Sequence, residues 1–236
     1  MEMTQRLFGL WEHVSQRTLL SSLLMSVSKP WEALAQLGSA IAVLGAQLSE
    51  EEYTQIQPGV WAANSARISP SAHLTGPCII GHDTEIRPGA LIRGNVCMGS
   101  GAVIGNSSEL KNCILFDGVQ VPHFNYVGDS ILGYRAHLGA GAITSNVKSD
   151  RSEISCQWEG ERLPTGRYKV GAMLGDFVEI GCHTVLNPGT IIGSNTIVYP
   201  CLSVRGFVEE GCIYKGDGTI VKRQLASNDP ATKTKA

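Results

Sequence analysis

The sequence contains few aromatic residues, which make up 6% of its 236 positions. Glycine, in contrast, occurs 27 times. Few aromatics and many glycines favour a turn-rich, repetitive fold over a helical bundle. The length fits one domain of ordinary size, alone or with a small appendage.

The sequence also has no excess of charge of one sign, since 19 basic and 21 acidic residues give a formal net charge of -2. It lacks a basic stripe of the kind that binds nucleic acid, and it lacks an acidic tail. The N-terminus has no apolar core of a signal peptide, and the longest apolar stretch, residues 39–48, is too short to span a membrane. We therefore expect a cytoplasmic protein without nucleic-acid or membrane partners.

Paired cysteines are missing as well. The cysteines are odd in number and scattered, and no two of them form a CxxC motif. This spacing argues against a disulfide framework and against a zinc knuckle. We expect reduced thiols, several of them at buried positions that favour small side chains. The seven residues are Cys78, Cys97, Cys113, Cys156, Cys182, Cys201 and Cys212.

Residues 1–55 differ in pattern from the rest of the chain and predict a helical segment. Apolar residues three and four positions apart form one stripe of a helix. The stripe consists of Leu34, Leu37, Ile41, Leu44 and Leu48. Pro30 fits the first turn of this helix. Because the segment holds no catalytic constellation, we expect it to pack on the main domain or on a neighbouring subunit.

A period of six residues governs residues 56–222. Aliphatic residues recur at every sixth position, and small or β-branched residues stand two positions before them. The periodic positions are Ile68, Leu74, Ile80, Ile86, Ile92, Met98, Ile104 and Leu110, then Leu132, Leu138 and Thr144, then Leu174, Ile180, Leu186, Ile192, Val198 and Val204. A fixed short period over so many positions is typical of a solenoid.

A period of six has a direct structural meaning. About four residues of strand and a two-residue turn make one side of a coil. Three sides close a triangular coil, so the aliphatic residues form three internal columns, and successive coils pair in parallel. The period therefore predicts an all-β fold, a parallel β-helix of triangular cross-section.

Two segments interrupt the period. Residues 111–126 are out of register, and residues 145–169 form a long polar insertion that we interpret as a loop. Segments that leave a rigid solenoid frequently carry function. After Val204 the pattern fades, and we expect residues 223–236 to form a disordered tail.

The out-of-register segment and the residues after it carry several motifs at fixed spacing. Asn106 and an ELK triplet that ends at Lys111 come first. An HxxYxGD motif then runs from His123 to Asp129, and a GAGxxTxN motif ends at Asn146.

Together with a TGRYKVG segment at residues 165–171, these motifs resemble the acetyltransferase domain of the bifunctional N-acetylglucosamine-1-phosphate uridyltransferases. They are more similar still to the archaeal sugar-1-phosphate nucleotidylyltransferase/acetyltransferases. The resemblance covers about residues 66–206. It implies a left-handed β-helix, in contrast to the right-handed crossovers found in most parallel sheets.

The same resemblance implies a reaction. Acetyl-CoA would be the co-substrate, and an aminosugar 1-phosphate such as glucosamine 1-phosphate would be the acceptor, with no metal required. Such a step belongs to nucleotide-sugar and cell-envelope precursor metabolism, on the route to UDP-N-acetylglucosamine. The resemblance further implies a homotrimer whose active sites lie between neighbouring subunits.

The resemblance also implies catalytic and cofactor-binding roles. His123 would be the general base, because an imidazole titrates near neutrality and accepts a proton from an amine that attacks a thioester. Ala140 would offer its backbone N–H to the developing oxyanion and to the pantetheine arm. Arg205 would contact the phosphates of coenzyme A.

The implied substrate-binding residues are cations and hydrogen-bonding groups. Arg87 and Lys111 would bind the sugar phosphate, since a guanidinium suits bidentate contact with phosphate oxygens. Tyr126 and Asn146 would position the sugar. Arg93, which follows the next aliphatic position after Arg87, would be its neighbour.

Of the departures from the bacterial pattern, two bear most on the substrate and the activity. His137 stands where that family has an asparagine in the sugar site, so we include His137 as a substrate-binding residue that alters the acceptor or titrates beside His123. The first 55 residues cannot supply a nucleotidyltransferase domain, because a nucleotide-binding fold needs about a hundred residues. We expect no nucleotidyltransferase activity from this chain.

Two alternatives stay open. A non-catalytic module that binds a sugar nucleotide, or scaffolds a partner through the N-terminal helices, would account for His137 and for the missing domain. A zinc hydro-lyase of the γ-carbonic anhydrase type needs three converging histidines. The sequence offers no closely spaced pair of histidines for such a site, so this alternative ranks below the others.

Overall fold

The computed structural model of the protein describes residues 3–9 and 16–224. Three helices precede the strands in these residues: α1 (Met3–Leu7), α2 (Ser21–Met25) and α3 (Pro30–Gly45). Pro30 occupies the first turn of α3, and the Glu32 carboxylate accepts a hydrogen bond from the backbone N–H of Lys29. Both features are typical of a helix start. The helix predicted from the leucine stripe is confirmed.

The rest of the described chain coils into a β-helix with three sheets, which we call the first, second and third faces in the order that each coil passes them. The first face contains β1 (Tyr53–Gln57), β2 (Val60–Ala63), β5 (Cys78–Ile80), β8 (Val96–Met98), β11 (Cys113–Leu115), β14 (Ile131–Leu132), β19 (Ala172–Leu174), β22 (Thr190–Ile192) and β25 (Phe207–Val208). The second face contains β3 (Arg67–Ile68), β6 (Glu85–Ile86), β9 (Val103–Asn106), β12 (Gln120–His123), β15 (His137–Leu138), β20 (Glu179–Ile180), β23 (Ile197–Val198), β26 (Cys212–Tyr214) and β27 (Ile220–Lys222). The third face contains β4 (His73–Thr75), β7 (Leu91–Arg93), β10 (Glu109–Lys111), β13 (Tyr126–Gly128), β16 (Ile143–Thr144), β21 (Val185–Leu186) and β24 (Ser203–Val204).

Successive coils pair in parallel on every face. Glu85, for example, lies opposite Val103, 18 positions later. At the two ends of the β-helix, β1 and β27 add antiparallel strands. The predicted all-β fold, a parallel β-helix with an N-terminal helical segment, is therefore confirmed.

The aliphatic columns predicted from the period form the interior of the β-helix. Ile86 is 1% exposed, and Ile104 and Leu186 are fully buried. The small residues two positions earlier are buried as well, and the hydroxyl of Thr84 donates a hydrogen bond to the carbonyl of Gly99 at 2.7 Å. A buried hydroxyl at a corner is thus satisfied by the neighbouring coil.

The first face is buried on both sides from β5 to β22. Its strands present three consecutive apolar residues, as in β5 and β19, and all of these residues are buried. Helix α3 packs on β5 and β8 at one end of this face. An antiparallel hairpin made of β17 (Ile154–Trp158) and β18 (Glu161–Arg167) packs on β22 and β25 at the other end. A strand that is covered on both sides reads as a continuous apolar run.

The N-terminal segment packs on the middle coils of the β-helix. Packing on the main domain was one of the two placements expected from the sequence. Arg17 forms a largely buried ion pair with Asp176. Phe8 packs against Phe116 with ring centroids 5.1 Å apart. The expected boundary of the helical segment, between residues 55 and 56, lies inside β1.

Residues 111–126 do not leave the β-helix, although they are out of register in the sequence. Val96 lies opposite Cys113, 17 positions later, so this coil is one residue short. The missing residue belongs to the corner between the third and first faces. Asn112 alone forms this corner, with a φ of 48°, and Asp129 forms the same corner one coil later, also with a φ of 48°. Asparagine and aspartate tolerate this left-handed region better than most residues. Single-residue corners therefore account for the register break.

The polar insertion at residues 145–169 contains the β17–β18 hairpin and is not an irregular loop. Ile154 and Cys156 of the hairpin are fully buried against the first face, and Trp158 packs on Phe207 with centroids 4.5 Å apart. The tail expected to be disordered lies outside the described residues from residue 225 onward.

All seven cysteines carry free thiols. Five of them are buried, and Cys182 and Cys201 are exposed. Over residues 3–9 and 16–224, we find no helix with the length and apolar character that crossing a membrane requires.

Candidate functional site

His123 ends β12 at the corner between the second and third faces, and its side chain is exposed. The turn after it is fixed by Asn125, which is 2% exposed. The Asn125 Oδ1 accepts a hydrogen bond from the backbone N–H of His123 at 3.0 Å. The Asn125 Nδ2 donates to the carbonyls of Gly139 and Ala142 at 2.8 and 3.1 Å. One amide therefore connects the His123 turn to the same corner of the next coil.

Ala140 occupies the position of His123 on that next coil. Gln120 lies opposite His137 in this register, and the Gly141 N–H donates to the carbonyl of His123 at 2.9 Å. Within the described part of the chain, the Ala140 N–H donates to no acceptor. The corner thus combines an exposed imidazole with a free backbone donor, one coil spacing of about 4.8 Å apart along the axis.

Arg87 lies along the same corner, before His123. Ile86 is opposite Ile104, and Ile104 is opposite Val121, so Arg87 precedes the His123 coil by two coils, or about 10 Å. The Arg87 Nε donates to Oε1 of Glu85 at 3.0 Å. This hydrogen bond holds the pKa of the Glu85 carboxyl below its ordinary value.

A polar network fills the corner between the third and first faces. The Asn112 Nδ2 donates to Oδ1 of Asp129 at 2.7 Å, and the Asn146 Nδ2 donates to Oδ2 of Asp129 at 2.5 Å. The Asn146 Nδ2 also donates to the Tyr126 hydroxyl at 3.3 Å. Two of the predicted substrate-binding residues, Tyr126 and Asn146, are therefore in contact.

Gly128 provides the space for this contact. A Cβ at position 128 would lie 2.4 Å from the Tyr126 hydroxyl oxygen and 2.9 Å from Nδ2 of Asn146. Burial, followed by the negative charge of Asp129, raises the pKa of the Tyr126 phenol above its ordinary value. The hydroxyl therefore keeps its proton at neutral pH and can donate a hydrogen bond to a ligand.

Lys111 ends a strand of the third face beside the same network, opposite Gly128 of the next coil. Among the described residues its ammonium group has no side-chain partner. Arg93 of the preceding coil, in contrast, forms an ion pair with Glu109 at 2.6 Å. Lys111 is thus a cation without a carboxylate partner among the described residues, on a strand that pairs with Tyr126–Gly128.

His137 and Arg205 belong to neither group. His137 lies on the second face, where its Nδ1 is 2.8 Å from Oε2 of Glu179. The ring of His137 is thus directed along the second face to Glu179, and its role in the site stays a prediction. Arg205 follows β24 two coils after Thr144, and its Nη2 donates to Oδ1 of Asn187 at 3.3 Å.

Sequence reasoning missed the amides and the carboxylate that support both corners. Asn112 and Asp129 are 8% and 3% exposed, and Asn125 is buried as well. Their signal in the sequence was the loss of one residue from the period at Asn112 and at Asp129. In the part of the chain that the structure describes, no three His, Cys, Asp or Glu side chains lie close enough to hold a metal ion.

Two of the curated relatives that this chain matches illustrate the similarity. The bifunctional protein GlmU of Methanococcus vannielii is 36% identical over 140 residues, which are 59% of this chain and 34% of that protein. The bifunctional sugar-1-phosphate nucleotidylyltransferase/acetyltransferase of Sulfurisphaera tokodaii is 30% identical over 174 residues, 66% of this chain and 43% of that protein. The chain therefore spans less than half the length of these relatives.

Solved structures include the acetyltransferase domain of PglB from Neisseria gonorrhoeae in complex with acetyl coenzyme A. It is 17% identical, covers 70% of this chain and 57% of that chain, and has a TM-score of 0.33. A similarity this low does not bear on function.

The chain also matches the model of a protein family. The family described as the GMPPB C-terminal domain matches residues 74–207, which are 134 of the 236 residues. This range includes both corners, with His123 and Ala140 at one and Tyr126 and Asn146 at the other. Because the match extends over more than half of the chain, the protein belongs to the GMPPB C-terminal domain family.

Proposed function

We propose that this protein is an acyl-CoA-dependent N-acetyltransferase that acts on an aminosugar 1-phosphate, with glucosamine 1-phosphate as the first candidate. The observation that carries the proposal is the exposed imidazole of His123 beside the unpaired N–H of Ala140. A general base and an oxyanion donor are the two groups that acyl transfer to an amine needs most.

The proposed chemistry uses these two groups in sequence. The amine nitrogen of the acceptor attacks the thioester carbonyl and forms the C–N bond, while His123 removes a proton from that nitrogen. The oxyanion of the tetrahedral intermediate accepts a hydrogen bond from the Ala140 N–H. When the C–S bond breaks, the coenzyme A thiolate leaves and takes the proton back from the imidazolium.

The remaining predicted residues support binding of the two substrates. Tyr126 and Asn146 present hydrogen-bonding groups to the sugar, and the unneutralised Lys111 is suited to the phosphate. Arg87 adds a second cation along the His123 corner, although its guanidinium already forms an ion pair with Glu85. Arg205 lies on a later coil, where it would meet the phosphates of coenzyme A.

The names of the relatives agree with acetyl transfer. Both relatives named above are bifunctional, and the Sulfurisphaera tokodaii protein is called an acetyltransferase as well as a nucleotidylyltransferase. This chain spans less than half of either protein, and the part that it matches in the family model includes His123 and Ala140, so we propose acetyl transfer for it.

We also propose a homotrimer with sites between its subunits. The exposed apolar side chain of Phe124, 64% accessible, stands directly after His123, and Ile143 on the third face is 37% accessible. Exposed apolar groups that flank a catalytic corner are suited to contact with another subunit. Light scattering of the purified protein would show a mass of three chains, and a monomer would contradict this part of the proposal.

The test of the activity is thiol release from acetyl-CoA with a panel of aminosugar phosphates, glucosamine 1-phosphate first. N-Acetylglucosamine 1-phosphate is the matched control, because its amine is already acetylated. Release that requires one free-amine acceptor, together with the acetylated product in the mass spectrum, supports the proposal. Absence of release with every acceptor would contradict it, and sugar-nucleotide binding without turnover would favour the non-catalytic module.

A further inference from the structure

The carboxylate of Asp129 lies at the centre of the network in the third–first corner. It accepts one hydrogen bond from Asn112 at Oδ1 and another from Asn146 at Oδ2. With 3% of its surface exposed, Asp129 itself has almost no contact with solvent. An ionised carboxylate can only accept hydrogen bonds, so both of its amide neighbours must direct their NH₂ groups towards it.

This constraint fixes the orientation of the Asn146 amide. Its Nδ2 points inward, to Asp129 and to the Tyr126 hydroxyl. Its Oδ1 has no partner in the described residues and is not among their buried unpaired atoms, so it faces solvent. The Tyr126 hydroxyl accepts from Asn146, and its own proton is therefore left for a ligand.

We infer that Asp129 is a positioning residue that sets the hydrogen-bond polarity of the acceptor site, with Asn146 presenting an acceptor and Tyr126 a donor. The complementary ligand is a sugar that offers a hydroxyl or amine N–H to Asn146 and an oxygen acceptor to Tyr126. The nature of this ligand rests on the proposed function, whereas the polarity rests on the geometry of the network alone.

An isosteric substitution at position 129 changes the hydrogen-bond pattern of the corner without changing its shape. In Asp129→Asn, one of the two oxygens becomes an NH₂ group, which cannot accept a hydrogen bond from an NH₂ neighbour. The Asn112 or the Asn146 amide must then rotate, and rotation of Asn146 exchanges the acceptor at the ligand side for a donor. Because aspartate and asparagine have nearly the same volume, the packing of the corner is unchanged.

The double variant Asn112→Asp/Asp129→Asn exchanges the amide and the carboxylate between the two positions and so restores the hydrogen-bond pattern. The new amide at position 129 donates to the carboxylate at position 112, and its oxygen accepts from Nδ2 of Asn146. The Asn146 Oδ1 faces the ligand again, and the net charge equals that of the original chain.

The first readout is steady-state kinetics of the wild-type protein and both variants. We expect Asp129→Asn to lower kcat/KM for the sugar by about tenfold or more, mainly through KM for the sugar, with KM for acetyl-CoA unchanged. We expect the double variant to recover most of this loss. If Asp129→Asn leaves KM for the sugar unchanged, or if the double variant stays as impaired as the single one, the inference is overturned.

The second readout does not depend on turnover. NMR spectra of protein labelled with ¹⁵N at asparagine only report on the side-chain NH₂ of Asn146, whose signal is identified by its loss in Asn146→Ala. The hydrogens of this NH₂ should exchange slowly with solvent in the wild type and in the double variant. They should exchange rapidly in Asp129→Asn. Equal exchange in all three would overturn the inference. Slow exchange in a wild type that acetylates no sugar would uphold Asp129 as a positioning residue and reject the proposed function.

Discussion

The backbone N–H of His123 donates a hydrogen bond, 3.0 Å long, to the side-chain oxygen of Asn125. The exposed imidazole therefore stands on a turn whose backbone is held by a buried amide. Because the same amide binds the carbonyls on either side of the Ala140 turn, the base and the oxyanion donor are positioned by one residue. A catalytic constellation held in this way meets the need for precise mutual placement.

Replacement of Asn125 by alanine tests this arrangement. It leaves the buried carbonyls of Gly139 and Ala142 without their donor, so the free energy of unfolding should fall by about 1–3 kcal/mol. The rate of acetyl transfer at saturating substrates should fall as well, because His123 and Ala140 lose their common support. Asn64→Ala, far from this corner, is the control, because the two hydrogen bonds that it removes, with Thr54 and with the Glu51 carbonyl, are exposed, so neither quantity should change by much. A stable Asn125→Ala protein with full kcat would contradict the role of this amide.

Gly128→Ala tests the contact between Tyr126 and Asn146. The backbone at position 128 has no positive φ, so alanine is allowed there, but its Cβ would lie 2.4 Å from the Tyr126 hydroxyl. The phenol must move away, and we expect KM for the sugar to rise by about tenfold, with KM for acetyl-CoA unchanged.

The matched control is Gly216→Ala, since a Cβ there meets only Cδ2 of Leu202 at an ordinary 3.5 Å. Kinetics of both variants with the same acceptor provide the comparison. If Gly128→Ala and Gly216→Ala bind the sugar equally well, the space beside Tyr126 has no part in acceptor binding.

Asp176 predicts a specific dependence of stability on pH. Burial raises the pKa of its carboxyl to about 6, although the nearby Arg17 opposes this shift. An unfolded aspartate titrates near 3.9, so between about pH 4 and pH 6 the folded protein binds more protons than the unfolded chain. The contribution of Asp176 to stability is therefore greatest at low pH and is lost as the pH rises through about 6.

Denaturant unfolding of the wild type and of Asp176→Asn, at about pH 4 and about pH 7, measures this contribution. We expect the wild type to lose up to about 3 kcal/mol more than the variant between the two pH values, because the variant has no carboxyl at this position. If the free energy of unfolding changes equally in the two proteins between these pH values, the pKa of Asp176 is not raised by folding.

The fold could be predicted from the sequence because its determinants are local and periodic. Ile86 and Ile104 stand in the same column of the interior, and the turn residues between them repeat at fixed intervals. The covered first face also had a signal, since Cys78–Ile80 is apolar and buried at every position, whereas Glu85–Ile86 of the second face has one polar residue and one buried apolar residue. A continuous apolar run indicates that something covers the strand on its outer side.

The attachment of the N-terminal segment and the supports of the site could not be predicted in the same way. The ion pair between Arg17 and Asp176 joins positions 159 apart, and no local pattern specifies such a contact. Asn112 and Asp129 meet because each coil lost one residue at the same corner, and this correspondence appears only when the coils are stacked. The motif at His123 indicated the base, but its dependence on Asn125 follows from the three-dimensional turn.

The most direct test of the account is thiol release from acetyl-CoA, with its best aminosugar phosphate acceptor, by the wild type, by His123→Ala and by His73→Ala. His73 is an exposed histidine at the start of the third face and serves as the matched control. We expect His123→Ala to reduce kcat by about 10²–10⁴, because the imidazole acts as the base, and to leave the thermal stability unchanged, because the side chain is exposed. His73→Ala should retain the wild-type rate. An undiminished rate in His123→Ala would contradict the role of His123 as the general base, since no proton acceptor would then be assigned at the corner.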